Sequence, residues 1–237
     1  MGNFQSRLVA AVLGCAAVML SSTGAACTKA AAQAYKAGDY ASVAQICRPL
    51  ADAGDVAGQF TLAQLYLSGR GASQSDAKAF KWLALAAAQG HAPAQTNLAT
   101  MFATGRGVDK NDPLAIQWFT AAAEQGFAPA QHSLARSYYA GLGVPRDHAK
   151  AVKWHLAAAH QGHLVSQHLI AQMFEKGEGV SLDPVVAFAW YCISEALGYS
   201  PATVDRDRLR KLLRPAEIDQ ADELAAAITK SIFEAQQ

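Results

Sequence analysis

The sequence predicts an all-α protein, an α-solenoid built from stacked helix-turn-helix repeats. Three observations predict it. Glycine, tryptophan and glutamine each recur at a fixed step of 36 residues. Apolar side chains within each step follow helical spacings of three and four. Alanine is abundant while alternating β-branched runs are scarce, which favours closely packed helices. Hydrophobic residues make up 51% of the 237 and charged residues 16%, a balance that excludes a disordered chain.

Taken in order, residues 1–26 read as a secretory signal. Arg7 supplies a positive start, Leu8 to Leu20 an apolar stretch broken only by Gly14, and Gly24 and Ala26 the small residues before a cut at Cys27. The apolar stretch is shorter than the roughly 18 residues a membrane-spanning helix requires, so no stable membrane insertion is expected. A lipid-anchored product is the rival reading, since Cys27 follows small residues. Gly24 stands where such a signal would carry a bulky aliphatic residue, which favours a soluble exported product, periplasmic or secreted. Residues 1–26 hold one basic residue and no acid, so the formal charge of +1 leaves a neutral mature chain. Neutrality gives no electrostatic grip on nucleic acid.

Residues 27–53 are expected to form an N-terminal capping helical hairpin that turns at Gly38 and Asp39. Cys27 and Cys47 are equidistant from Ala37 at its tip, which places them level in an antiparallel pair and predicts a disulfide between them.

The repeats follow as residues 54–89, 90–125, 126–161 and 162–197. One glycine column is Gly54, Gly90, Gly126, Gly162 and Gly198; a second is Gly69, Gly105, Gly141 and Gly177; a third is Gly71, Gly107, Gly143 and Gly179. Tryptophan keeps step at Trp82, Trp118, Trp154 and Trp190, and glutamine at Gln59, Gln95, Gln131 and Gln167. Glycine makes up about 7% of an average chain, so three columns in register do not arise by chance. The first helix of a unit, residues 56–68 in the first repeat, carries Leu62, Ala63 and Tyr66 on one face, with equivalents such as Leu98, Ala99 and Phe102. The Gly-x-Gly pair stops it. The second helix carries Ala79, Trp82 and Ala86 and their equivalents. Asp112 before Pro113, and Asp183 before Pro184, read as N-caps with proline at the first helical position. Helices of about 13 residues are marginal alone, so they lean on neighbours. Residues 198–237 leave the pattern and are expected to cap the array with two helices opened by Pro201 and Pro215, the first holding Leu209, Leu212 and Leu213.

The A-Q-x-x-L-A-x-x-(Y/F)-x-x-G-x-G runs, for instance Ala94 to Gly107, and the A-x-x-W-x-x-x-A-A-x-x-G runs, for instance Ala115 to Gly126, resemble the Sel-one-like repeat family of the tetratricopeptide-like superfamily. The resemblance covers residues 54–197. It implies a right-handed superhelix and a scaffold that mediates protein–protein interaction, in exported bacterial members at the cell envelope. Leu164, Val165 and Ser166 depart from the Ala-Pro-Ala of residues 92–94 and 128–130. Cysteine-rich exported relatives bind β-lactams and pair cysteines within each repeat, and this chain lacks such pairs.

No common catalytic signature is present, and neither cofactor nor metal is called for. His132, His148, His155, His160, His163 and His168 lie close in sequence, but no pair has the i,i+4 spacing that aims two rings at one ion, and they are expected to be surface histidines. Cys192 is expected to be a lone buried thiol. The expected partner is a protein or peptide, held by a monomer in a groove of first-helix residues outside the core. The groove candidates are Phe60, Thr96, His132 and His168 in one row and Thr100, Arg136 and Gln172 one turn later, with Tyr139 and Lys176 beside them.

Overall fold

In a computed structural model of the chain, residues 28–234 are described. Among them are twelve helices and no strand. They divide into two compact units, with the chain boundary between Phe127 and Ala128. The predicted signal, and the Cys27 half of the predicted disulfide, lie outside the described residues.

The first unit opens with the short helix α1, Lys29–Lys36, and its partner α2, Tyr40–Asp52. Gly38 makes the turn with φ +76°, and Asp39 caps α2 by accepting from the backbone N–H of Ser42 at 3.1 Å. Two repeats follow: α3 (Val56–Ser68) with α4 (Asp76–Ala88), then α5 (Ala92–Thr104) with α6 (Asp112–Glu124). The second unit holds α7 (Ala128–Ala140) with α8 (His148–Ala159), and α9 (Leu164–Lys176) with α10 (Pro184–Ala196). The closing helices α11 (Pro201–Arg210) and α12 (Pro215–Glu234) open at the two expected prolines. Within each unit consecutive helices pack in sequence, the α-solenoid arrangement that the repeat predicts.

The cores are those the periodicity marks. Leu62, Ala63, Ala79, Trp82 and Ala86 are buried in the first unit, with Cys47 among them. Ile170, Ala171, Ala187 and Trp190 are buried in the second. Alanines at zero exposure let helix axes approach closely. Trp118 and Trp154 are only partly buried, Trp118 packing against the core of the first unit.

The glycine columns have distinct duties. Gly105 ends α5 in the left-handed conformation, φ +69°. Gly107 lies against the start of α4 one repeat back, where an added Cβ would sit 2.7 Å from the backbone of Asp76. Gly179 makes the same approach to His148, the first residue of α8. Gly107 and Gly179 are therefore docking contacts between successive repeats within each unit.

Two expectations need correction. Asn111, not Asp112, caps α6, accepting from the N–H of Leu114 at 3.0 Å, so Pro113 occupies the second helical position. The other pair stands as read, since Asp183 accepts from Val185 and Val186 at 3.0 Å each. Leu212 lies in the turn after α11 and is 73% exposed, because the helix stops at Arg210. Ion pairs instead fix α11: Arg208 to Glu175 at 2.8 Å, and Arg206 to Glu195.

Candidate functional site

The second unit carries a cleft of about 220 Å³ between the first helices of successive repeats. Helix α7 contributes Arg136, Tyr139 and Ala140; α9 contributes Leu169, Gln172, Met173 and Lys176. Leu142 and Glu178, each from the middle of a Gly-x-Gly loop, close the end, and His155 of α8 forms part of the floor. The spacing of Arg136 to Tyr139 and of Leu169, Gln172 and Lys176 puts each set on one helical face.

Tyr139 is a fixed wall. Its ring stacks on His148 with centroids 4.9 Å apart and planes 14° apart. Its hydroxyl donates to Glu178 at 2.8 Å, and that bond to a carboxylate raises the phenol's pKa. Arg136 and Lys176 are exposed and make no hydrogen bond or ion pair with any described residue. Gln172 is held through its side-chain nitrogen, 3.1 Å from Nε2 of His168.

Beneath this cleft the histidines form a packed layer rather than a surface cluster. His155 is 2% exposed. The rings of His132 and His163 lie 4.6 Å apart and those of His132 and His155 5.4 Å. Ser166 joins all three: its Oγ is 3.0 Å from Nδ1 of His132 and 3.3 Å from Nδ1 of His155, and its backbone N–H donates to Nδ1 of His163 at 3.2 Å. One hydroxyl carries one proton, so at most one of His132 and His155 accepts from Ser166 and at least one donates to it. Burial, reinforced by the neighbouring rings and Arg136, pushes His132 down to about 4 and His155 down to about 3. Burial lowers His163 as well. Among the described residues no three His, Cys, Asp or Glu side chains are grouped to hold a metal ion.

The repeat explains the layer. Positions 132, 155 and 163 correspond, 36 residues apart, to Phe60, Leu83 and His91, to Thr96, Phe119 and Phe127, and to His168, Tyr191 and Tyr199. In the fourth set His168 packs between Tyr191 and Tyr199, with centroids 5.4 and 5.3 Å away. These are interior and half-buried positions that the third set fills with three imidazoles. Hence the expectation of surface histidines was wrong for His155 and His168.

The groove candidates separate accordingly. Arg136, Tyr139 and Gln172 come together in the cleft. His168 and Thr96, 7% and 8% exposed, face the interior, and His132 belongs to the layer below. Thr100 is exposed but donates to the carbonyl of Thr96 at 2.9 Å, bonding back along its own helix. Phe60 lies in a smaller cleft of about 160 Å³ in the first unit, with Tyr35, Tyr40 and Arg70. Sequence reading missed Leu142 and Glu178. Leu142 left a signal, for an apolar residue stands there where Arg70, Arg106 and Glu178 occupy the other repeats.

Cys47 is fully buried. Cys192 is a half-buried free thiol whose pKa burial pushes up to about 12, so it is not a ready nucleophile.

The family model described as Sel1 repeat matches residues 56–91, 92–127, 128–163 and 164–199. No curated protein matches the chain. Among solved structures, a Sel1 repeat protein from Oxalobacter formigenes is 28% identical with a TM-score of 0.70, over 75% of this chain and 73% of that one. The protein c5321, a protective antigen of uropathogenic Escherichia coli displaying an SLR fold, is 29% identical with a TM-score of 0.70. That match covers 75% of this chain but spans only 40% of c5321.

Proposed function

Since the chain belongs to the Sel1 repeat family, whose repeats serve as interaction scaffolds, we propose that it is an exported, non-catalytic adaptor that holds a segment of another protein. The observation that carries this reading is the α7–α9 cleft, in which an immobilised aromatic wall and two unpaired cations surround an apolar floor. A site of that kind recognises by shape and charge, without bond-making chemistry. Export rests on the signal-like residues 1–26 and is supported by the likeness to a protective antigen, a class of protein that the host's defences reach. No helix among the described residues is long and apolar enough to cross a membrane. An oxidising compartment would also close the disulfide between Cys27 and Cys47. The chain is proposed to act as a monomer.

The test is capture from envelope extract by the native chain and by a variant carrying Leu142→Asp and Leu169→Asp. The native chain is expected to retain a partner that the variant loses. Equal recovery by both removes the cleft from the function.

A further inference from the structure

We infer that the α7–α9 cleft takes an acidic peptide segment, one that presents a Glu or Asp side chain beside an aliphatic residue. This deepens the reading above and rests on it. Over the whole sequence basic and acidic residues nearly cancel, yet Arg136 and Lys176 stand at one cleft with no hydrogen bond or ion pair to any described residue. Elsewhere the basic side chains near acids are engaged: Arg106 with Asp76 at 2.7 Å, Arg208 with Glu175 and Arg214 with Glu217 at 2.7 Å. The single acid lining the cleft, Glu178, already accepts from Tyr139. His155 is held neutral by burial and adds no charge of its own. The unbalanced charge facing an occupant is therefore positive.

Size and lining supply the second half. A volume of about 220 Å³ admits one or two side chains and not a folded domain. Leu142 is 52% exposed at its rim while Met173 lies buried at its base, so the cleft offers apolar contact on one side and cations on the other. A carboxylate reaching Arg136 gains a charge-assisted hydrogen bond, and an adjacent aliphatic side chain covers Leu142 and Leu169. Because Tyr139 is already fixed by His148 and Glu178, little ordering is needed on binding.

The test uses an array of random nine-residue peptides tethered by their carboxyl ends, so that only side chains offer a carboxylate. The full chain is the probe. Bound peptides are expected to be enriched in Glu or Asp within two positions of Leu, Ile or Met. Replacing that acid with its amide should weaken binding about tenfold, as should the double variant Arg136→Gln, Lys176→Gln. Both side chains are exposed and unpaired, so this variant should keep the native melting temperature. Peptides that lose binding to Leu169→Asp yet carry no acid would overturn the inference while leaving the cleft as a peptide site. Peptides that bind the Leu142→Asp, Leu169→Asp variant as well as the native chain, or an array with no binders, would overturn both.

Discussion

The side-chain amide of Gln125 donates to the side-chain oxygen of Gln95 at 2.8 Å, and the amide of Gln95 donates in turn to the backbone carbonyl of Ala87 at 3.1 Å. The same relay runs from Gln89 through Gln59 to Ala51. In the second unit Gln161 donates to Gln131 at 2.8 Å. The last repeat has Leu197 where Gln89, Gln125 and Gln161 stand, so the side-chain oxygen of Gln167 is buried without a partner. An apolar replacement should therefore be cheaper at Gln167 than at Gln95. Gln95→Leu removes two bonds and leaves the amide of Gln125 only its bond to the carbonyl of Ala121, whereas Gln167→Leu removes one bond and one orphaned oxygen. The difference is expected to be about 1 kcal/mol, read from urea unfolding of the two variants.

Gly107→Ala is expected to cost about 3 kcal/mol or more. The residue has φ +72°, and its new Cβ would meet the backbone of Asp76. Gly90→Ala carries the conformational cost alone, about 1–2 kcal/mol, because nothing lies within 4 Å of its Cβ position. Thermal melts of the two variants separate the close contact from the positive φ.

Acid should loosen the second unit. His132, His155 and His163 have folded pKa values below the ordinary 6.5, so the unfolded chain binds more protons as the pH drops. Stability is then constant above about pH 6.5 and falls from there towards pH 3–4. For His155, the most buried ring, the loss by pH 4 is on the order of 3 kcal/mol. His155→Phe, which copies Phe119 at the equivalent position, should flatten the profile of unfolding midpoint against pH.

Intact mass of the chain purified from an oxidising compartment, before and after reduction, is expected to differ by the two hydrogen atoms of one disulfide. Peptide mapping should place it between Cys27 and Cys47. Closing a loop of this length contributes about 3 kcal/mol, so a reductant should lower the melting temperature.

Much of the fold was legible because strict repetition averages away local ambiguity. The boundaries of α3 fell where Val56 and Ser68 are found, and the Gly-x-Gly stops took their left-handed conformations. The histidines misled because proximity in sequence says nothing of direction. Aligned by the 36-residue step, His155 falls beneath Leu83 and Phe119, both interior residues, and that alignment was the signal to read. His168 and Thr96 failed as groove residues for the same reason. Arg136, Tyr139 and Gln172 line the cleft because their positions fall outside the interior row that holds Thr96 and His168. Leu142 lies in a loop that the repeat marks by its glycines alone, so periodicity does not single it out.

A glycine that touches the helix one repeat behind it sets which lengths of insertion the chain can accept. Duplicating or deleting 36 residues hands Gly107 another helix start of the same kind, while adding a single residue to α5 swings that glycine off its landing. Such a gene would grow by copying whole blocks. The imidazole layer limits even that freedom, because Ser166 needs both His132 and His155 in the block before it. Recombination that moved the fourth repeat behind the second would set its serine against Thr96 and Phe119, and the two blocks would part company in composition at that one seam.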